Sequence, residues 1–214
     1  MFAIIIRIML SVALQAGGQS IRMGENKALK PFLGRPLIQR VIQRLTPIAD
    51  ELLITTNQPE SFSFLGLPLF PDLMPGRGPL GGLYTALVSA KYPVVAVVAC
   101  DMPFVSAPLL VAAASFLVRD EADVVIAETA EGFEPLHAVY RRVTCIPAIE
   151  AAIQSDQWRM ISWFPKVKIR KLAPDELHRY DPDGIAFSNV NTPGEFAEAE
   201  RRASARSAPG TARG

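Results

Sequence analysis

At 214 residues, with 50% hydrophobic and 20% charged residues, the chain has the size and composition of one globular domain with a substantial core, which excludes a disordered or collagenous polypeptide. A formal net charge of +1 leaves no bulk basic field of the kind that announces a nucleic-acid binder. Two cysteines, Cys100 and Cys145, are too few for a disulfide framework or a thiolate metal cage, and they suit a reducing, cytoplasmic compartment.

The chain opens on an apolar run, FAIIIRIMLSVAL, that ends at Leu14. Arg7 interrupts it, it is too short to span a bilayer, and a cleavage after Ala16 would cut the glycine-rich segment that follows. The pattern therefore predicts a buried strand, for which Leu10 to Leu14 suffices, with Met9 as an alternative start. Leu37, Ile38, Val41, Ile42 and Leu45 recur at helical spacing. Glu51 to Thr56 reads as a second strand, and Leu80 to Ala90 as a helix after a Gly/Pro-rich approach. Val94 to Ala99 (VVAVVA) is an uninterrupted apolar run, as expected of a strand covered on both faces. Ser106 can cap a helix through about Val118, and Asp123 to Ala127 returns as a strand.

Further strands are expected at Leu136 to Arg141 and Lys166 to Leu172, then a helix opened by Thr192, Pro193 and Glu195 as a capping box. The fold class predicted is α/β: one domain over residues 1–202, with a mostly parallel sheet and helices on both faces. Residues 203–214, small and polar, are expected to form a disordered tail. In such sheets ligands bind beyond the carboxyl ends of the strands.

Three segments fall at such ends. The first is Leu14-Gln15-Ala16-Gly17-Gly18, continuing through Arg22 to Lys27. Glycines after a buried strand let backbone N–H groups approach an anion, and Arg22 and Lys27 add a planar fork and a point charge suited to a triphosphate. The spacing fits neither the Walker nor the dinucleotide glycine pattern. The second is Cys100-Asp101-Met102-Pro103, which ends the VVAVVA strand. A carboxylate there suits Mg²⁺, which is held by one or two carboxylates plus substrate phosphates; the bland alternative is that Asp101 caps a turn before Pro103. The third runs from Asp72 into Pro75-Gly-Arg-Gly-Pro-Leu-Gly-Gly82, where paired glycines at a helix start imply close approach of something flat, such as a purine base, or else a flexible loop. His137 and His178 stand apart from other ligand-type residues, so no zinc site is expected, and Ser20 has no paired base. Trp158 and Trp163 read as packing residues.

Together the segments QAGGQSIRMGENKAL, Asp72 with GPLGG, and CDMP resemble the molybdenum cofactor guanylyltransferase family, whose pattern runs LAGGxSxRMGxxKAL, then D…GPLAG, then CDxP. Glu134 to Tyr140 and Phe187 to Pro193 (FSNVNTP) are similar to the family as well. The resemblance implies a nucleotide-sugar-transferase-like domain that joins GMP, from Mg-GTP, to molybdopterin, giving the guanine dinucleotide cofactor and pyrophosphate. It implies that Gln15, Ala16 and Gly17 wrap the guanine and ribose, that Gly18 belongs to the same nucleotide-binding set, that Asn57 and Asp72 contact the nucleotide, and that Lys27 holds phosphate. Asp101 is implied as nucleotide and Mg²⁺ ligand, with Arg22 and Lys27 stabilising the departing pyrophosphate. Asn189 and Asn191 match the segment near the second substrate or the metal, and His137 lies in the other segment of this kind.

The resemblance thus implies GTP and molybdopterin as substrates, with molybdoenzymes or their chaperones as onward partners, and neither nucleic acid nor membrane is expected. Gln15 departs from the family's Leu, Asn26 from a frequent Asp, and Gly81 from a common Ala. Two other readings remain open: a cytidylyl- or sugar-phosphate nucleotidyltransferase on the same fold, and a non-catalytic nucleotide-binding regulator. The set Arg22, Lys27 and Asp101 argues against the last, since a mere binder has less need of a metal carboxylate opposite a phosphate clamp.

Overall fold

In the computed structural model, residues 7–17 and 26–207 are described. Residues 1–6 of the opening run, the segment 18–25 with Gly18, Ser20 and Arg22, and residues 208–214 lie outside them.

The first half carries β1 (Leu10–Gln15), β2 (Pro31–Phe32), β3 (Arg35–Pro36), α1 (Leu37–Leu45), β4 (Glu51–Thr55), α2 (Pro59–Phe62), β5 (Leu69–Phe70), α3 (Gly78–Ser89) and β6 (Val94–Ala99). The second carries α4 (Ala107–Arg119), β7 (Val124–Ile126), β8 (Glu128–Thr129), β9 (Gly132–Phe133), β10 (His137–Arg141), α5 (Arg142–Gln154), β11 (Ile169–Lys171), α6 (Pro174–Tyr180) and α7 (Pro193–Ser207). Seven strands form one sheet in the order β11-β7-β10-β6-β1-β4-β5. All its pairings are parallel except those of β10, which runs antiparallel to β6 and β7.

The central strands have no polar face because both faces are covered. Val12, Leu14, Ile54, Ala96 and Val98 pack under α1 and α4, while Ala13, Leu53, Val95 and Val97 pack under α3 and α5. Each fully buried Val or Leu contributes roughly 1.5–3 kcal/mol relative to an exposed one, so this alternation fixes the register of β1 against β4 and β6. The stripe of α1 behaves as its spacing predicts, with Leu37, Ile38, Val41 and Leu45 fully buried and Ile42 at the margin. Helix α4 starts where Ser106 Oγ accepts the Leu109 amide at 3.3 Å. Helix α7 opens on a complete capping box, with Glu195 N donating to Thr192 Oγ1 at 3.2 Å and Thr192 N donating to Glu195 Oε2 at 2.9 Å.

One boundary moves. The tail expected from Ala203 onward is helical through Ser207, and Ala203 is fully buried in a cluster with Phe32, Phe104, Phe196 and Ala199. Phe196, Ala199 and Ala203 stand at i, i+3 and i+7, so they form one apolar stripe that the surrounding Arg and Ser residues conceal by composition. Helix α5 follows β10 directly and carries Pro147 in its interior, a position where proline removes a helix donor.

Candidate active site

The carboxyl ends of β1, β4 and β6 converge, and the backbone stitches them together. Cys100 N donates to Gln15 O at 3.2 Å, and Ala16 N donates to Thr55 O at 2.9 Å. A cavity of about 530 Å³ opens there, lined by the ends of these strands, the 26–28 turn, Asn57, Asp72 and the first turn of α3. A parallel sheet exposes its ligand side at this edge, because each chain must leave its strand here by a loop.

One end of the cavity is charged. Asp101 sits in the turn after β6, held by its own carbonyl, which accepts the Val190 amide at 3.1 Å. That bond ties the CDMP turn to the Asn189–Asn191 segment. Burial raises the pKa of Asp101 above the ordinary carboxylate value, opposed by a backbone hydrogen bond to the carboxylate and then by the Lys27 ammonium. No side chain among the described residues donates a hydrogen bond to its carboxylate. Lys27 starts a short 3-10 turn, Lys27–Leu29, capped by Asn26, whose Oδ1 accepts the Ala28 amide at 3.1 Å. Its ammonium donates to Asn191 Oδ1 at 3.1 Å. The Cys100 thiol is pushed up by burial and then by the Asp101 charge, so it stays protonated and serves as wall.

The other end is uncharged on its sheet wall. Gln15 lies across the first turn of α3, its Nε2 donating to Pro79 O at 3.0 Å. A Cβ at Gly82 would meet Gln15 Cδ at 2.7 Å, and one at Gly81 would meet Met74 O at 2.7 Å. The flat object these glycines admit is therefore partly the protein itself, the Gln15 amide and the 72–74 turn. Asp72 lines the cavity, yet its Oδ1 accepts from Met74 N at 3.0 Å and Thr85 Oγ1 at 3.1 Å, and its own amide donates to Asn57 Oδ1 at 2.9 Å. Asn57 and Asp72 thus form one braced wall.

A second cavity, of about 520 Å³, lies beyond Asn191 and is lined by Asn189, Phe187, Glu131, Glu134, Glu195 and Glu198 among others. Next to it His137 is buried, its ring edge-on to Phe187 at 5.0 Å, with Nε2 accepting the Ser106 amide at 3.2 Å. Burial lowers its pKa to about 4, so it is neutral and structural.

Of the residues singled out in the sequence, Gln15, Ala16, Gly17, Lys27, Asn57, Asp72 and Asp101 all line the first cavity. Asn191 reaches it through Lys27, and Asn189 lines the second. Gly18 and Arg22 fall outside the described residues. Thr55 and Leu136, which also line the first cavity, were not singled out. Their signal is position alone, since Thr55 ends an apolar strand and Leu136 directly precedes β10. Trp163 is buried as expected of a packing residue, whereas Trp158 is exposed, with Arg77 over its ring at 4.4 Å.

Fold and cleft together define a class, an α/β nucleotide-handling domain whose cleft at the strand ends brings Lys27 and Asp101 together. Comparison with known proteins agrees. The MobA-like NTP transferase domain matches residues 12–167. A probable molybdenum cofactor guanylyltransferase of Carboxydothermus hydrogenoformans is 36% identical over 193 residues, covering 87% of this chain and 93% of the relative. The molybdenum cofactor guanylyltransferase of Desulfosudis oleivorans is 34% identical over 186 residues, covering 86% and 91%. Among solved structures, the molybdopterin-guanine dinucleotide biosynthesis protein A of Archaeoglobus fulgidus superposes with a TM-score of 0.79 at 25% identity, covering 91% of this chain and 99% of that one. The chain belongs to the MobA-like NTP transferase family.

Proposed function

We propose that this protein is a molybdenum cofactor guanylyltransferase, transferring GMP from GTP to molybdopterin with release of pyrophosphate. The observation that carries the reading is that one cavity at the strand ends brings the opposite charges of Lys27 and Asp101 together with the uncharged Gln15 and Thr55 and the close-packed Gly82. The printed names of its relatives support the same reaction.

In this account Gln15, Ala16, Gly17 and Gly18 surround the guanine and ribose, Asn57 and Asp72 form the side wall, and Lys27 and Arg22 neutralise the phosphates. Mg²⁺ fits Asp101. Its carboxylate is largely buried and receives no hydrogen bond from a side chain among the described residues, which leaves it able to meet an ion shared with substrate phosphates. When bound there, the ion would withdraw charge from the α-phosphate. Asp101 holds that position through its backbone bond to Val190, and Lys27 is aimed by Asn191.

A phosphate monoester is already an anionic nucleophile, so the transfer needs no catalytic base. The work of the side chains is in-line placement and charge neutralisation. In this account the molybdopterin side lies toward Asn189 and Asn191, in the second cavity. No helix among the described residues is long and apolar enough to cross a membrane. We place the reaction in the cytoplasm, with molybdoenzymes or their chaperones as recipients.

The test is pyrophosphate release from each nucleoside triphosphate with molybdopterin and Mg²⁺ present. GTP alone should sustain it. Release from CTP instead would convert the assignment to a cytidylyltransferase, and tight GTP binding without release would leave a regulator.

A further inference from the structure

Two polar atoms at the uncharged end of the first cavity have no hydrogen-bond partner among the described residues: Gln15 Oε1 and Thr55 Oγ1. Their residues are only 5% and 3% exposed. Gln15 and Thr55 are register partners in the parallel β1–β4 pair, so their side chains leave the sheet on the same face, the one covered by α3. Both residues line the cavity. An orphaned buried acceptor costs roughly 1–3 kcal/mol, a penalty that native proteins seldom carry unless something fills the place.

The orientation of the Gln15 amide is fixed by chemistry. Pro79 O can only accept, so the end facing it at 3.0 Å is the NH₂, and the orphan is the carbonyl oxygen. That oxygen needs a donor. Phosphate and carboxylate oxygens are acceptors and cannot supply one, and no donor among the described residues, Lys27 included, bonds to it. A nucleobase with N–H groups along its edge can.

We infer that the side chain of Gln15 reads the base, its Oε1 accepting from the N1–H and 2-amino edge of guanine. This rests on the reading that the cavity takes GTP. Thr55, whose hydroxyl can both give and accept, completes the same polar spot. Adenine presents N1 as an acceptor along that edge, so two acceptors would face each other and ATP is disfavoured.

Calorimetry of Mg-GTP and Mg-ATP with the full chain tests the inference, using Gln15→Leu and Gln15→Met. The leucine variant is the safer fold, as the family pattern carries that residue, and the methionine variant keeps the length. GTP affinity should fall about three- to tenfold while ATP affinity is unchanged or rises. Equal losses for GTP and ATP would assign the oxygen to a ribose hydroxyl or a water and overturn base reading. No loss for either would overturn it too. If the parent binds neither triphosphate, the transferase reading fails first and this inference with it; if the parent prefers GTP and the variants keep that preference, this inference alone fails.

Discussion

The first and second cavities have nearly equal volumes, about 530 and 520 Å³, and adjoin across Asn191. Particular polar groups in them differ in condition. In the second, Glu195 already accepts the Asn191 and Thr192 amides, Glu198 pairs with Arg201 and Arg202, and Glu134 accepts from Thr129 Oγ1. In the first, Asp101 has no donating side chain among the described residues, and Gln15 Oε1 and Thr55 Oγ1 have no partner. Space alone does not mark a ligand site. Unpaired buried polar groups that line a cavity do, because a ligand there can offset their cost; the buried Arg40 Nε and His137 Nδ1, also without a partner among the described residues, line neither cavity.

Asp101→Asn breaks this contrast hardest. Burial raises the Asp101 pKa, so ionising it costs more in the folded chain than in the unfolded one, and stability falls as pH rises through the folded pKa. Removing the charge should leave the ligand-free melting temperature unchanged or higher, while transfer at moderate Mg²⁺ drops by at least about a hundredfold. Activity like the parent's would remove Asp101 from the site.

His137 tests the shell between the cavities. Its pKa is lowered to about 4 by burial, from an ordinary 6.5. The unfolded chain gains a proton near 6.5 that the folded chain refuses until about 4, so its contribution is intact above pH 6.5 and is lost as pH drops through that window. The loss is on the order of 3 kcal/mol. Denaturant titrations should show the slope, and His137→Gln, which keeps an acceptor for the Ser106 amide, should flatten it.

Ending the chain after Arg202 removes fully buried Ala203 and the last turn of α7. Melting should fall by several degrees, for a loss of roughly 1–3 kcal/mol. A chain ended after Ser207 is the control.

The smallest effect belongs to the second cavity. Glu198→Gln loosens exposed pairs with Arg201 and Arg202, so the melting temperature should move by about a degree or less and GTP affinity not at all. A large loss of GTP affinity would merge the two cavities into one site.

What was legible in the sequence follows the same physics. The strands β1, β4 and β6 and the helices α1, α3 and α4 announce themselves through apolar runs and stripes that have no other use. Helix α5 does not, since Pro147 interrupts it and Val143 is exposed near its start. The two-residue strands β2, β3, β5, β8 and β9 are too short to carry a period. The end of α7 hides behind arginine and serine, although Phe196, Ala199 and Ala203 keep helical spacing. In the site, glycines and charges were visible as motifs, whereas Thr55 was not, because a threonine that ends a strand is ordinary until its neighbours leave its hydroxyl unpaired.

The central claim, that the first cavity holds a nucleoside triphosphate with its phosphates at Lys27, is tested most directly by calorimetry of GTP and of guanosine with Lys27→Ala. A charge-assisted phosphate contact is worth about 1.5–3 kcal/mol, so GTP affinity should fall by about one to two orders of magnitude, while guanosine binds variant and parent alike. Lys27→Arg should recover only part of the loss, since a planar fork replaces a point charge poorly at close range. Equal GTP affinity in Lys27→Ala and the parent would contradict the account.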